Sequence, residues 1–179
     1  MSIREDLINV IPEIGLLENE SLREKTVTAW QMALDAAGIQ PEALNEMPFS
    51  LLARRCGISL AEHIRTVTRS AMALADEMSA GYGNRAKLDR DIVIAGGIVH
   101  DIGKVMEYEQ GGEGYQKSYY GKMLRHPFSG VWICEKAGLP VEILHIVAVH
   151  SKEGDGGHRS LEASIIFHCD FANFESFRD

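Results

Sequence analysis

Cysteine is scarce in this chain of 179 residues: Cys56, Cys134 and Cys169 are too few and too scattered for a disulfide framework or a Cys-x-x-Cys zinc site. That usage suits a reducing cytoplasm, and it leaves the binding of any metal to histidine and aspartate. Long apolar runs are missing as well. No stretch approaches the ~20 apolar residues of a membrane span, and Met1 to Asp6 lacks the basic segment and apolar core of a signal peptide. A cytoplasmic protein with no membrane partner is therefore expected. Basic residues are outnumbered, 18 Lys and Arg against 26 Asp and Glu, for a formal charge of -8. Such a surface does not grip long nucleic acid through many phosphates, although a local cluster of cations can still hold a small phosphorylated substrate. There is no sustained period-two alternation, no internal repeat and no low-complexity linker.

What is present reads as an all-α, single-domain helical bundle, of a size that buries roughly 70% of its unfolded surface. Residues 1–54 are expected to form an N-terminal helical segment packing on a body of residues 55–179. Ser21-Leu22-Arg23-Glu24 and Ser59-Leu60-Ala61-Glu62 have the form of capping boxes, each opening a helix. The first helix should end at Ala37 before Gly38. The second carries Leu60, Ile64, Val67, Ala71, Leu74 and Met78 as a core-facing stripe. A third is expected from about Asp89 to Glu107, followed by a mobile loop over Gln110 to Gly114. Pro127 suits the first turn of a helix, with His126 at its entrance. Gly138 and Pro140 precede a short apolar helix ending at His150, and Ser160 caps a last helix to about Phe174.

The chemistry concentrates at Ile98-Val99-His100-Asp101-Ile102-Gly103-Lys104, where an imidazole and a carboxylate follow an apolar run. Such groups are costly to bury without a partner. Successive helical residues point about 100° apart, so His100 and Asp101 can reach one ion or two adjacent ions. Lys104 falls on the same side, and Gly96 and Gly97 lie one turn earlier, where another helix or a ligand can approach closely. Asp170 shares a face with Ile166, Phe167 and Phe174, so its acid must be protonated, paired or bound to metal. Taken singly, each has a plainer role: Asp170 in a buried salt bridge, His63 as a structural histidine, His126 and His150 at helix ends. His145, His158 and His168 are read as structural or exposed.

Read in order, His63, His100-Asp101, His126, His150 and Asp170 resemble the HD superfamily of metal-dependent phosphohydrolases. The resemblance covers about residues 55–176, with its best segments at HDIGK (100–104), RHPFSG (125–130), VHSKEGDG (149–156) and FHCDFANF (167–174). It implies an all-α scaffold on which His63, His100, Asp101 and Asp170 hold one metal, with Asp101 bridging to a second held by His126 and His150. Where the HD-GYP type has two adjacent histidines this chain has His150-Ser151, and the GYP signature is missing, which argues against a cyclic dinucleotide substrate. The nitrogen and oxygen donors suit two divalent transition ions, Mn, Fe, Co, Ni or Zn, rather than calcium. The function so implied is hydrolysis of a phosphate mono- or diester by a hydroxide activated at a dinuclear centre, with Asp101 and Lys104 catalytic. Lys104, Lys122, Arg125 and Lys152 are the candidates for contact with the substrate. The alternative is a mixed-valent di-iron oxygenase acting on a small polyol or organophosphonate, which uses a similar ligand set; a non-catalytic sensing domain comes third. No feature of the pattern sets an oligomeric state.

Overall fold

The computed structural model describes residues 3–179; Met1 and Ser2 of the expected N-terminal segment lie outside the described residues. Helix α1 (Ile3–Val10) is followed by a 3-10 turn at Pro12–Leu16, α2 (Glu20–Ala37), a 3-10 turn at Pro41–Asn45 and α3 (Leu60–Tyr82). Then come α4 (Arg90–Val99), α5 (Lys104–Glu107), strands β1 (Tyr108–Gly111) and β2 (Gly114–Lys117), α6 (Tyr119–Met123), α7 (His126–Lys136), α8 (Val141–Val149) and α9 (Leu161–Phe177). Among the described residues the fold is all-α apart from one antiparallel hairpin, in which Tyr108 pairs with Lys117 and Gly111 with Gly114. No helix among the described residues is long and apolar enough to cross a membrane.

Helix α4 runs through the centre. Asp89 caps it by accepting from the amides of Asp91 and Ile92, and Val93, Ile94, Ala95, Ile98 and Val99 are fully buried. Burial of each such valine or isoleucine contributes roughly 1.5–3 kcal/mol. It packs on α2, α3, α8 and α9. The expected close approach at its glycines is present on both sides: a Cβ on Gly96 would lie 2.6 Å from Ile146 Cδ1, and one on Gly97 would lie 2.8 Å from Thr68 Oγ1. The paired glycines thus let α8 and α3 close on α4, which draws the ligand-bearing ends of all three together.

Five local expectations need correction. Helix α2 is capped by Asn19, not Ser21: the Asn19 side chain accepts from the Leu22 amide at 3.0 Å, and its own amide donates to Asp91 Oδ2 at 2.7 Å. A tertiary contact to the first turn of α4 therefore sets that start. The Ser59 capping box is present in full, but Leu74 in the α3 stripe is 39% exposed and Ala75 is buried instead, because the end of α3 projects past its neighbours and residues 79–82 are all exposed. The helix expected over residues 89–107 is interrupted after Val99. Ile102 and Lys104 donate to carbonyls three residues back, Val99 and Asp101, so the chain tightens there before α5 begins. The glycine-rich stretch 110–114 is not a free loop but the tip of the β1-β2 hairpin, with Gly114 at φ 100° as its turn demands. Finally, α9 continues to Phe177 rather than Phe174.

Candidate metal centre

Six side chains expected at the site come from five separate parts of the fold. His63 lies in the first turns of α3, just after the Ser59-Glu62 capping box. His100 and Asp101 occupy the tight turn after α4, His126 opens α7, His150 follows α8, and Asp170 projects from α9. All six are buried. They converge in two sets: His63, His100, Asp101 and Asp170 offer ligand atoms all within 4.8 Å of one another, as do Asp101, His126 and His150. Asp101 belongs to both.

The hydrogen bonds of the rings decide what this arrangement can hold. His100 Nδ1 lies 2.7 Å from the Gly97 carbonyl and His150 Nδ1 lies 2.8 Å from the Val147 carbonyl. A carbonyl can only accept, so both Nδ1 atoms carry the proton, and in the neutral ring the lone pair is on Nε2. His126 Nδ1 is likewise 2.7 Å from Glu107 Oε2. Burial pushes the His126 imidazole down to about 4, against the pull of Glu107, so that ring is neutral at ordinary pH. The bare Nε2 atoms then face one another and the shared acid: His126 to His150 at 3.3 Å, His126 to Asp101 Oδ1 at 3.4 Å and His150 to Asp101 Oδ1 at 3.5 Å. Acceptors crowd against acceptors. Asp101 Oδ1 itself is buried with no hydrogen-bond partner among the described residues. Buried acceptors gathered this way are stable only around a cation, and their nitrogen and oxygen character fits divalent transition ions.

The first set shows the same demand in another form. His63 Nε2 is 3.2 Å from Asp101 Oδ2 and 3.1 Å from Asp170 Oδ1. Burial lowers the His63 pKa, but hydrogen bonds to both carboxylates outweigh it and the net shift is upward. A proton between two acids is the least cation that satisfies them. Lys104 supplies a further charge: its Nζ donates to Asp101 Oδ2 at 2.6 Å and to the Phe49 carbonyl at 2.7 Å. Burial disfavours the ammonium, yet the Asp101 carboxylate holds the Lys104 pKa above its ordinary value. Asp101 in turn is pushed up by burial and pulled further down by Lys104 and His100, and stays ionised well below the usual carboxylate range.

Both sets open into a cavity of about 440 Å³. Lys104, Arg125 and Lys152 line it as expected, but Lys122 on α6 is exposed and stands outside that lining. Lys117 lines it instead, because the hairpin turns β2 towards the opening. Phe49, Leu51, Phe171 and Phe174 form an apolar wall. The sequence reading missed Phe49, whose ring stacks on His63 with centroids 4.6 Å apart, and Glu107, which holds His126. Phe49 acts through a backbone carbonyl and a stacking contact, neither of which leaves a sequence signal. His145, His158 and His168 take no part: His145 accepts from the Ser160 amide at 3.1 Å, and the other two are exposed.

The family model of the HD domain matches residues 60–171, more than half of the chain. A curated relative, the dihydroneopterin 2',3'-cyclic phosphate phosphodiesterase of Methanocaldococcus jannaschii, is 33% identical over 115 residues, 64% of this chain and 45% of the relative. The chain thus spans less than half the length of that relative. No solved structure matches it. With the family model covering the whole segment that carries the two converging sets, this chain belongs to the HD domain family.

Proposed function

We propose that this protein is a metal-dependent phosphohydrolase acting on a small phosphate ester. The observation that carries this reading is the pair of buried clusters of histidine and aspartate sharing Asp101, at the floor of a cavity with a cationic rim. His63, His100, Asp101 and Asp170 would hold one divalent ion, and Asp101, His126 and His150 a second. Ions bound there supply Lewis acidity to phosphoryl oxygens and make a water nucleophilic at neutral pH. Lys104, paired with Asp101 and lining the cavity, would offer its ammonium to a non-bridging phosphoryl oxygen. Arg125, Lys117 and Lys152 draw the anionic end of the ester inward, while Phe49, Phe171 and Phe174 exclude water and receive its organic part. The archaeal relative is named for a 2',3'-cyclic phosphate, which puts cyclic phosphodiesters first among substrates to try.

The test is metal analysis and electron paramagnetic resonance on protein purified with and without air, followed by a panel of phosphate mono-, di- and cyclic diesters. Two divalent ions per chain and metal-dependent release of phosphate or a monoester are expected. Two irons with a mixed-valent signal, and no ester cleaved, would overturn the hydrolase in favour of the oxygenase.

A further inference from the structure

Glu107 belongs to no motif in the chain, yet its carboxylate is 1% exposed and gathers four donors. Oε2 accepts from His126 twice, from Nδ1 at 2.7 Å and from the backbone amide at 2.8 Å. Oε1 accepts from Arg125 Nη1 at 2.9 Å and faces Lys117 Nζ at 3.5 Å. Its backbone is pinned too: the Ser118 amide donates to the Glu107 carbonyl at 2.9 Å, and Gly121 packs so close that a Cβ there would overlap that carbonyl. Arg125 also donates from Nε to Glu153 at 2.9 Å, and Glu153 accepts from Ser151, the residue after His150. The chain of charges therefore runs from His126 round to the segment that carries His150.

His126 differs in this respect from the other two rings whose Nδ1 partner is fixed. His100 and His150 rest their Nδ1 protons on neutral carbonyls, whereas His126 rests its proton on an anion. A carboxylate behind an imidazole fixes the tautomer, orients the ring and raises the basicity of the opposite nitrogen. We infer that Glu107 is a positioning residue for the second ion: it locks His126 with its lone pair turned to Asp101 and His150, and ties that ring to the Arg125 and Lys117 rim of the cavity. This rests on the reading of the two clusters as metal sites. The first set makes no contact with Glu107 in any of these bonds, so the effect is selective.

The experiment is an equilibrium titration with Mn2+ of wild-type protein and of Glu107→Gln and Glu107→Ala, counting ions per chain by electron paramagnetic resonance. Wild-type protein should bind two ions. Both variants should keep one with unchanged affinity and bind the other about 10- to 100-fold more weakly, Glu107→Gln less affected because its amide oxygen still accepts from His126. Two ions bound with wild-type affinity in the variants, or both weakened alike, would overturn the assignment of Glu107 alone. Fewer than two ions in wild-type protein would overturn the metal-centre reading and, with it, this one. A second measurement needs no variant at that position: in metal-free protein labelled with 15N-histidine, with the His126 signals assigned by their loss in His126→Gln, Nδ1 should be protonated and Nε2 bare. The opposite tautomer overturns the proposal.

Discussion

The two ligand sets are built by different means. His63, His100 and Asp170 stand on or beside three helices, α3, α4 and α9, that pack directly on one another, and their spacing follows from that packing. His126 opens α7, where a network of charged side chains holds it, while His150 ends α8 with its ring on the Val147 carbonyl, just as His100 ends α4 with its ring on the Gly97 carbonyl. The contrast teaches that a ring ending a helix can be oriented by a carbonyl of its own helix, while a ring that opens one, where the free backbone groups are donors, needs a partner of its own. Only Asp101 depends on both, so it is the place where the comparison is broken most completely. Asp101→Asn keeps the size of the side chain and an acceptor for Lys104, so circular dichroism should show unchanged helicity. Bound metal should nevertheless fall well below one ion per chain, and turnover should vanish. Two tightly retained ions would show that the sets do not share this residue.

His150→Ala tests whether the sets are separable. The four donors of the first set are untouched, so one ion should remain while activity falls greatly. Metal content after extensive dialysis against buffer is the measurement. Two ions, or none, would mean that the division of ligands between helix wall and helix ends is wrong.

Lys104 lies between the regions and should have a smaller effect. Removing one charged contact of this kind from a desolvated site costs about 2.7–4 kcal/mol in the transition state, roughly 10²–10³ in rate. Lys104→Met should therefore lower turnover by that factor while metal is retained, and Lys104→Arg should recover only part, because a planar guanidinium does not reproduce a compact ammonium. The structure adds a second readout. Breaking a buried ion pair by removing one partner costs about 3–5 kcal/mol, so metal-free Lys104→Met should unfold at markedly lower denaturant than metal-free wild type. Added divalent ion should narrow that gap, since it supplies the positive charge that Asp101 has lost. An equal loss of stability with and without metal would make Lys104 a structural ion pair only.

The division between regions also explains what could be read from sequence. The helix wall was legible: the apolar run before His100, the stripe around Asp170 and the Ser59 box each carry a periodic or capping signal, and the fold follows those signals. The helix ends were legible in part, since Pro127 marks the start of α7 and the apolar run to His150 marks α8. The network behind His126 was not. Glu107 meets His126 and Arg125 at separations of 19 and 18 residues, across a hairpin that was expected to be a loop. With the hairpin unseen, the choice between Lys117 and Lys122 at the cavity could not be made. The break after Val99 was invisible for a different reason: a switch to i-3 hydrogen bonding needs no special residue, and the apolar pattern continues through it.

The smallest effect sharpens the comparison at the helix wall, where a single cap fixes the start of α3 only four residues before His63. Ser59 accepts from the Glu62 amide at 3.2 Å, and Glu62 Oε2 returns the contact by accepting from the Ser59 amide at 2.9 Å. Loss of such a cap costs about 1 kcal/mol, so Ser59→Ala should lower the unfolding free energy by that amount in a urea titration. Ser21→Ala should change it by less than about 0.5 kcal/mol, because Ser21 is exposed and Asn19 is the cap of α2. The pH dependence follows from Glu62, whose pKa is lowered first by its bond from the Ser59 amide and next by its bond from the Ser59 hydroxyl; Ser59→Ala keeps the first and removes the second. A group whose folded pKa is depressed contributes stability above its ordinary value and loses it as pH falls through the lowered one. The gap between wild type and Ser59→Ala should therefore be full at neutral pH and shrink in acid. Packing of α3 on α4 and α9 should still hold His63 in place, so the variant should bind as many ions as wild type. A lost ion in Ser59→Ala would mean that the helix wall, like His126, relies on a local polar device rather than on packing.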